Sequence, residues 1–316
     1  MTITETEMLA SCDRDGVRLD TYIPSKRFLT VDIEFGGQSQ NRGTGADNDE
    51  PINLVPNTAF SSPANQTATS LIEMNGSATG TGADQIGPAA NAFGFADYLW
   101  KEYGYKTKAT MTAWQGMRLS KQTPSSSPYH HEVTDADAAN SLVRGTFSQG
   151  VIQNRSLMVP RAATLVRLRP NLKIAHKVYC IAHGEAVSTH LLSGVVTQAE
   201  YTATYQRLWD WKKANEGYTL CGVHEHGRTG TNELEIAANE PRNLLVRAAQ
   251  AAFVNANDDV IWASQAAKDT TSLIVDTKGT WVSGFGYDPD GIHWNRTSQN
   301  AIGRLFARLV AEYFNL

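Results

Sequence analysis

The chain has 316 residues, and its 28 lysines and arginines against 32 aspartates and glutamates give a formal net charge of −4 with neutral histidine. Hydrophobic residues make up 41% and charged residues only 19%, which is typical of a globular protein and excludes collagen, a coiled coil and bulk disorder. The weakly acidic balance excludes a general electrostatic attraction to nucleic acid or to anionic membranes.

Helix and strand patterns alternate along the chain. In chain order, they predict a strand at 28–35, a helix at 89–103, a strand at 107–114, helices at 135–154 and 157–169, a strand at 173–182, a helix from the capping box at 197–200 to 215, a strand at 218–223, a helix at 241–254, strands at 260–263 and 273–275, and a closing helix at 297–314. This alternation predicts an α/β fold, a three-layer α/β/α sandwich around a central parallel sheet.

The domain organisation is read from composition. We expect an N-terminal segment at 1–26 and a single domain at 27–316, with insertions at about 41–87 and 120–172. The stretch at 41–87 is rich in Gly, Asn, Thr and Ser, which is turn chemistry; it is either a linker or a binding loop. The N-terminus is polar and predicts no secretory signal peptide, and no stretch has the ~18 apolar residues that span a bilayer.

Cysteine and histidine give little indication of a cross-link or a metal. Cys12, Cys180 and Cys221 are odd in number and widely spaced, so neither a disulfide framework nor a zinc knuckle is indicated. His224 and His226 would share one strand face if the strand continued, but no third ligand has motif spacing. We therefore expect no metal and no organic cofactor.

Polar clusters recur where predicted strands end. They are Gly37-Gln38-Ser39, Gln115-Gly116, His183-Gly184-Glu185, His224-Glu225-His226, and the segment 288–293 before the last helix. Ligands bind outside the carboxyl ends of the strands in open parallel sheets, so the clusters predict a site at that edge.

Three of these residues fit nucleophilic catalysis. Ser39 follows the first strand, and a serine hydroxyl needs a base to attack. Asp290 lies three residues before His293, so its carboxylate can hold the imidazole tautomer while the other ring nitrogen faces the serine. Ser39, Asp290 and His293 are therefore the candidate catalytic residues.

The ordered blocks resemble SGNH hydrolases, and more closely the branch of the sialate O-acetylesterases and carbohydrate esterase family 6, which includes some phage tail esterases. The blocks that carry this resemblance are Phe35-Gly36-Gly37-Gln38-Ser39, Gly87-Pro88 with the following Phe95-Ala96, Ala113-Trp114-Gln115-Gly116, His183-Gly184-Glu185 with Tyr201 and Tyr205, Val246-Arg247-Ala248-Ala249-Gln250 and Asp290-Gly291-Ile292-His293. They span roughly residues 28–314, and the resemblance implies the flavodoxin-like SGNH hydrolase fold.

The resemblance also implies roles for individual residues. Ser39 would be the nucleophile, His293 the base and Asp290 its orienting partner. The oxyanion hole would take the backbone N–H groups of Ser39 and Gly116 and a side chain at position 183. Position 183 is His where the family has Gln, and position 40 is Gln where the family often has Asn. Substrate contacts are expected from the following residues: Gln38, Gln40, Trp114, Glu185 and His226.

The function that we expect is a serine esterase that removes O-acetyl groups from a carbohydrate, whose partner is that substrate rather than nucleic acid or membrane. Two alternatives remain: a non-catalytic glycan-binding or receptor-binding module on the same fold, and a lipase-like or thioesterase-like SGNH hydrolase. The expected setting is either a virion tail component or a bacterial protein that is cytoplasmic or exported without a signal peptide. The sequence allows an oligomer and does not define its size.

Overall fold

A computed structural model of the chain describes residues 29–38, 41, 52, 54–61, 72–74, 91–111, 113, 172–185, 187–265, 273–275, 281–284 and 293–316. Its strands are β1 (Leu29–Gly37), β2 (Ala59–Ser61), β3 (Ile72–Glu73), β4 (Lys106–Met111), β5 (Lys173–Ala182), β6 (Leu220–His224), β7 (Val260–Ser264), β8 (Leu273–Val275) and β9 (Trp281–Gly284), and its helices are α1 (Asn91–Tyr103), α2 (Ser188–Leu192), α3 (Gln198–Glu216), α4 (Glu233–Asn255) and α5 (Arg296–Phe314). The helices predicted at 135–154 and 157–169 lie outside the described residues.

The main sheet has the strand order β3-β2-β4-β1-β5-β6-β7. Every neighbouring pair from β2 to β7 is parallel, and the short edge strand β3 pairs antiparallel with β2. Parallel neighbours need crossover connections, which here include helices. The predicted α/β class with a central parallel sheet is confirmed.

Two apolar cores lie on opposite faces of the sheet because successive strand side chains point to opposite faces. On β5, Val178 and Cys180 join α1 and α5 in one core, whereas Tyr179 and Ile181 join α2, α3 and α4 in the other. The result is the three-layer α/β/α sandwich that the sequence predicts.

Some elements differ from the sequence prediction. Helix α4 begins after Asn232 rather than at Pro241, because the Asn232 side chain caps it by accepting the Glu235 N–H at 3.0 Å. Within 41–87, the interpretation as loop is wrong for β2 and β3, which pair with each other. Strand β8 pairs with β9 in a separate antiparallel hairpin sheet and not with the main sheet.

None of the helices that the structure describes is both long enough and apolar enough to cross a bilayer.

Candidate active site

The carboxyl ends of three neighbouring strands bring the predicted polar blocks to one edge of the sheet. Gly37 of β1 is in register with Ala182 of β5, and Ala182 is in register with His224 of β6. The residues that follow these strands are therefore neighbours, although more than 140 positions separate β1 from the end of β5. This edge is where ligands bind in open α/β sheets.

Gln38 ties the end of β1 to the turn after β5. Its backbone N–H donates to the Ala182 carbonyl at 2.8 Å, and its side-chain Oε1 accepts the Gly184 N–H at 3.1 Å. Gly37, just before it, has a φ of 101°, and a Cβ there would overlap the Ala182 carbonyl oxygen. Only glycine allows this close, left-handed approach, so the backbone that leads to position 39 is fixed.

A buried network of side-chain hydrogen bonds holds the His183 ring. Its Nδ1 lies 2.6 Å from the Tyr201 hydroxyl, which in turn lies 3.3 Å from the Tyr205 hydroxyl. Burial raises the pKa of Tyr201 well above its usual range, and Tyr205 and Glu185 add to the rise. Tyr201 is therefore a neutral phenol that can donate to Nδ1.

Gln250 of α4 joins this network to the ends of β5 and β6. Its Nε2 donates to the carbonyls of His183 at 3.0 Å and His224 at 3.2 Å, and its Oε1 accepts the His226 N–H at 2.8 Å. One amide thus holds the backbone of two neighbouring strand ends.

His226 lies beyond the end of β6, so it does not continue a strand face with His224. Its ring is 3% exposed, and its Nε2 is 3.0 Å from Asn243 Oδ1. The ring packs so closely on Gly184 that a Cβ at that glycine would come within 2.7 Å of Nδ1. Burial lowers the pKa of His226, so the ring is neutral.

Glu185 brings a carboxylate to the same edge. The residue is partly exposed, its Oε2 is buried, and no hydrogen bond within the described part of the chain reaches that oxygen. Its charge adds to the burial that raises the pKa of Tyr201 and partly opposes the burial that lowers the pKa of His226.

His293 lies two residues before Asn295, the cap of α5. It is partly exposed, and the adjoining Trp294 is buried with its ring edge-on to His224 at 5.6 Å between centroids. The other predicted site residues, Ser39, Gln40, Trp114, Gly116 and Asp290, lie outside the described residues.

Several residues of this site were not singled out by the sequence. The sequence indicates Gln250 only as the last residue of Val246–Gln250, one of the blocks that carry the resemblance, and gives it no role. Asn243 lies two helical turns before Gln250 on the same face of α4, and this spacing could have indicated it.

The described part of the chain contains no group of three or more histidine, cysteine, aspartate or glutamate side chains that could hold a metal ion.

The architecture is shared with solved structures. A protein from Arabidopsis thaliana matches with a TM-score of 0.52 and 14% identity over 90% of this chain and 98% of its own. NanS matches with a TM-score of 0.51 and 10% identity over 93% of this chain and 99% of its own. This chain has their fold.

A third match is a carbohydrate esterase family 2 enzyme with a carbohydrate binding domain from Corynascus thermopiles (Myceliophthora fergusii), with a TM-score of 0.46 and 14% identity over 91% of this chain and 67% of its own. No family model matches the sequence, and no curated protein matches it.

Proposed function

We propose that this chain is a serine esterase that removes O-acetyl groups from a carbohydrate, with a polysaccharide such as a capsule or O-antigen as the substrate class. Ser39 attacks the acetyl carbonyl, and His293 takes the hydroxyl proton as general base. Asp290 holds His293 in the tautomer that this transfer needs.

The negative charge that develops on the carbonyl oxygen needs fixed donors. These are the backbone N–H groups of Ser39 and Gly116 and the Nε2–H of His183. When the tetrahedral intermediate collapses, the bond to the sugar oxygen breaks and His293 protonates the leaving sugar hydroxyl. A water molecule, deprotonated by His293, then attacks the carbonyl carbon of the acetyl-enzyme. When this second intermediate collapses, the bond between that carbon and Ser39 Oγ breaks, His293 returns the proton to Ser39 Oγ, and acetate leaves.

The hydrogen bond from the Gly184 N–H to Gln38 Oε1 carries the proposal. Gln38 and Gly184 are 146 residues apart in the sequence, yet this bond joins the residue before Ser39 to the residue after His183. The segments around Gln38 and Gly184, which both carry the family resemblance, therefore lie together at the sheet edge. An active site formed from both segments requires this proximity.

The substrate contacts that we propose surround this edge. The buried Glu185 Oε2 lacks a hydrogen-bond partner within the described residues, and a sugar hydroxyl is the donor that would satisfy it. Gln40, Trp114 and His226 contribute further contacts, and Gln38 acts as a brace because its Oε1 already accepts from Gly184.

The test measures acetate release from p-nitrophenyl acetate and from an acetylated polysaccharide. We expect Ser39→Ala to lower kcat by at least ~1,000-fold, the scale of losses at a catalytic serine. The matched control is Ser193→Ala, since Ser193 is an exposed serine that follows α2. It should release acetate as fast as the wild type.

The other outcomes separate the alternatives. Equal rates in the wild type and Ser39→Ala would overturn the esterase. Polysaccharide binding without acetate release would favour a glycan-binding module. A preference for long acyl esters in a chain-length series would favour a lipase or thioesterase and contradict the acetyl substrate.

A further inference from the structure

A buried chain of side-chain amides and one imidazole links the end of β1 to β6. Asn41 Nδ2 donates to the carbonyls of Gly36 at 2.7 Å and Cys180 at 3.2 Å. Asn41 Oδ1 accepts from Asn91 Nδ2 at 2.8 Å, and Asn91 Nδ2 lies 3.1 Å from His224 Nε2. Asn41, Asn91 and His224 are at most 1% exposed, and we refer to them as the amide relay.

The donors and acceptors of the amide relay are complementary. An amide nitrogen carries two hydrogens, so Asn91 can donate one to Asn41 and the other to His224. His224 then accepts at Nε2 and carries its proton on Nδ1. Burial lowers the pKa of His224 to about 3, so the ring stays neutral, as an acceptor must.

The far end of the amide relay reaches the segment that contains His293. Trp294 is 2% exposed, and its ring meets the His224 ring edge-on at 76°. Phe306 of α5 also packs against His224, at 6.1 Å between ring centroids. The amide relay therefore contacts both the residue after His293 and the helix that follows it.

Helices α1 and α5 clamp the amide relay. Asn91 is the first residue of α1, and its carbonyl oxygen lies where a Cβ on Gly303 of α5 would be. In the reverse sense, a Cβ on Gly94 of α1 would overlap the Asn300 carbonyl oxygen. These close approaches fix the start of α1 against α5 and leave little room for either to shift.

We propose that Asn91 and His224 are positioning residues that hold the Ser39 segment and the His293 segment at the separation that proton transfer requires. The inference rests on the proposed function, which makes Ser39 and His293 the nucleophile and its base. Ser39 is two residues from Asn41, and His293 adjoins Trp294. A nucleophile and its base must lie within hydrogen-bond reach, so a shift at either end of the amide relay slows the reaction.

Three variants of the full chain test the effect on catalysis. His224→Phe keeps an aromatic ring between Trp294 and Phe306 but removes the acceptor. We expect its kcat for p-nitrophenyl acetate to fall about 100-fold, the cost of a misplacement of about 1 Å, with KM changed less than twofold. His224→Gln, whose side-chain oxygen can accept from Asn91, should recover most of this loss. The control is His176→Phe, because His176 is a half-buried ring stacked on Phe314 at 4.1 Å and lies early in β5; its kcat should stay at the wild-type value.

A spectroscopic measurement tests the same link without catalysis. In protein with ¹⁵N-labelled histidine, the chemical shifts of the His293 ring nitrogens should change in His224→Phe and stay unchanged in His176→Phe. If His224→Phe does not fold, Asn91→Asp serves instead, since it keeps the shape and removes both amide hydrogens.

The outcomes distinguish the two proposals. If the wild type and Ser39→Ala release acetate at equal rates, the proposed esterase function is overturned. The positioning role of the amide relay is then tested by the His293 spectrum alone. A folded His224→Phe or Asn91→Asp that leaves the His293 spectrum unchanged overturns the amide relay. In an active wild type, an unchanged kcat in either variant overturns it as well.

Discussion

The hydroxyl of Tyr201 lies 2.6 Å from Nδ1 of His183, and both side chains are buried. Because burial raises the pKa of Tyr201, the phenol keeps its proton at ordinary pH. When the phenol donates a hydrogen bond to Nδ1, the neutral imidazole carries its own hydrogen on Nε2. In the proposed esterase, His183 can then donate a hydrogen bond to the oxyanion through Nε2. The imidazole would take the role that the resemblance gives to a glutamine amide at this position.

A substitution series at this pair tests the donor. We expect His183→Phe to lower kcat for p-nitrophenyl acetate by about 100-fold, the value of one oxyanion donor. His183→Gln should keep most of the activity, because the amide N–H replaces the ring N–H. Tyr201→Phe should lower kcat by a smaller factor, because the ring stays but loses its fixed tautomer.

The matched control for Tyr201→Phe is Tyr218→Phe. Tyr218 is also a buried phenol with a pKa raised by burial, but its hydroxyl donates to Glu34 at 2.8 Å, away from His183. It should leave kcat unchanged. Wild-type kcat in His183→Phe would contradict the role of His183.

The stability of the chain should depend on pH through His224. Its pKa is about 3 in the folded chain, because burial disfavours the charged ring, against 6.5 for an ordinary histidine. Between these values the unfolded chain binds more protons, so the contribution of His224 is fully present above pH 6.5 and is lost as the pH falls towards 3. For each unit by which the pH falls within this window, the free energy of unfolding falls by about 1.4 kcal/mol.

Urea unfolding at pH 7.5 and pH 4.5 measures this contribution. The free-energy difference between the wild type and His224→Gln, which has no group that titrates there, should shrink by about 2 to 3 kcal/mol at the lower pH. His226 is also buried with a lowered pKa, but it is present in both proteins and cancels. The same pH dependence in both proteins would show that His224 is charged in the folded chain.

The strongly patterned elements could be predicted from the sequence. The capping box at Thr197 and Glu200 defines the start of α3, where both of its hydrogen bonds are present. The alternation in β1 and the buried-strand pattern of β5 predict both strands to within two residues. The helical pattern at 241–254 predicts the C-terminal part of α4 but not its start. Helix α4 begins at Glu233, after the Asn232 cap, and Pro241 lies inside it; the Asn-x-x-Glu pattern at 232–235 could have indicated this start.

The site itself was predictable only in part. The polar blocks at the strand ends are local patterns, and the parallel register brings the described blocks to one edge. The amide relay has no such pattern, since its bonds join Asn41 to Asn91 across 50 residues and Asn91 to His224 across 133. Long-range pairing of this kind depends on the packing of α1 on α5, which no spacing in the sequence encodes.

That packing can be tested at its glycines. A Cβ at Gly94 or Gly303 would overlap a backbone carbonyl oxygen of the opposite helix, so the helices must move apart. We expect Gly94→Ala and Gly303→Ala each to lower the free energy of unfolding by about 1 to 3 kcal/mol, the usual cost of overpacking. Urea unfolding followed by circular dichroism measures this loss. The control is Gly194→Ala, whose Cβ meets nothing within 4 Å and bears only the strain of a φ of 73°. If Gly303→Ala lowers the free energy of unfolding no more than Gly194→Ala does, the close contact of α1 and α5 is contradicted.

A buried ion pair fastens α3 to the sheet on the other face. Lys212 of α3 and Glu34 of β1 form a salt bridge with both side chains fully buried, and Tyr218 also donates to Glu34. The Lys212 ammonium lies over the Tyr179 ring at 4.7 Å. Lys212 also pairs with Glu216 of α3, whose side chain is 10% exposed. Removing Lys212 leaves the buried Glu34 carboxylate uncompensated, whereas replacing both Lys212 and Glu34 removes that buried charge and leaves only the partly exposed Glu216.

We therefore expect Lys212→Met to lower the free energy of unfolding by about 3 to 5 kcal/mol. Adding Glu34→Gln to Lys212→Met should recover part of this loss, because the buried carboxylate is then gone. The control is Lys213→Met, since Lys213 is 36% exposed and pairs with Asp259 at the surface; it should cost no more than about 1 kcal/mol. Urea unfolding of the four proteins gives these values. Equal costs at positions 212 and 213, or a double variant less stable than Lys212→Met, would show that the Glu34 charge is compensated without Lys212.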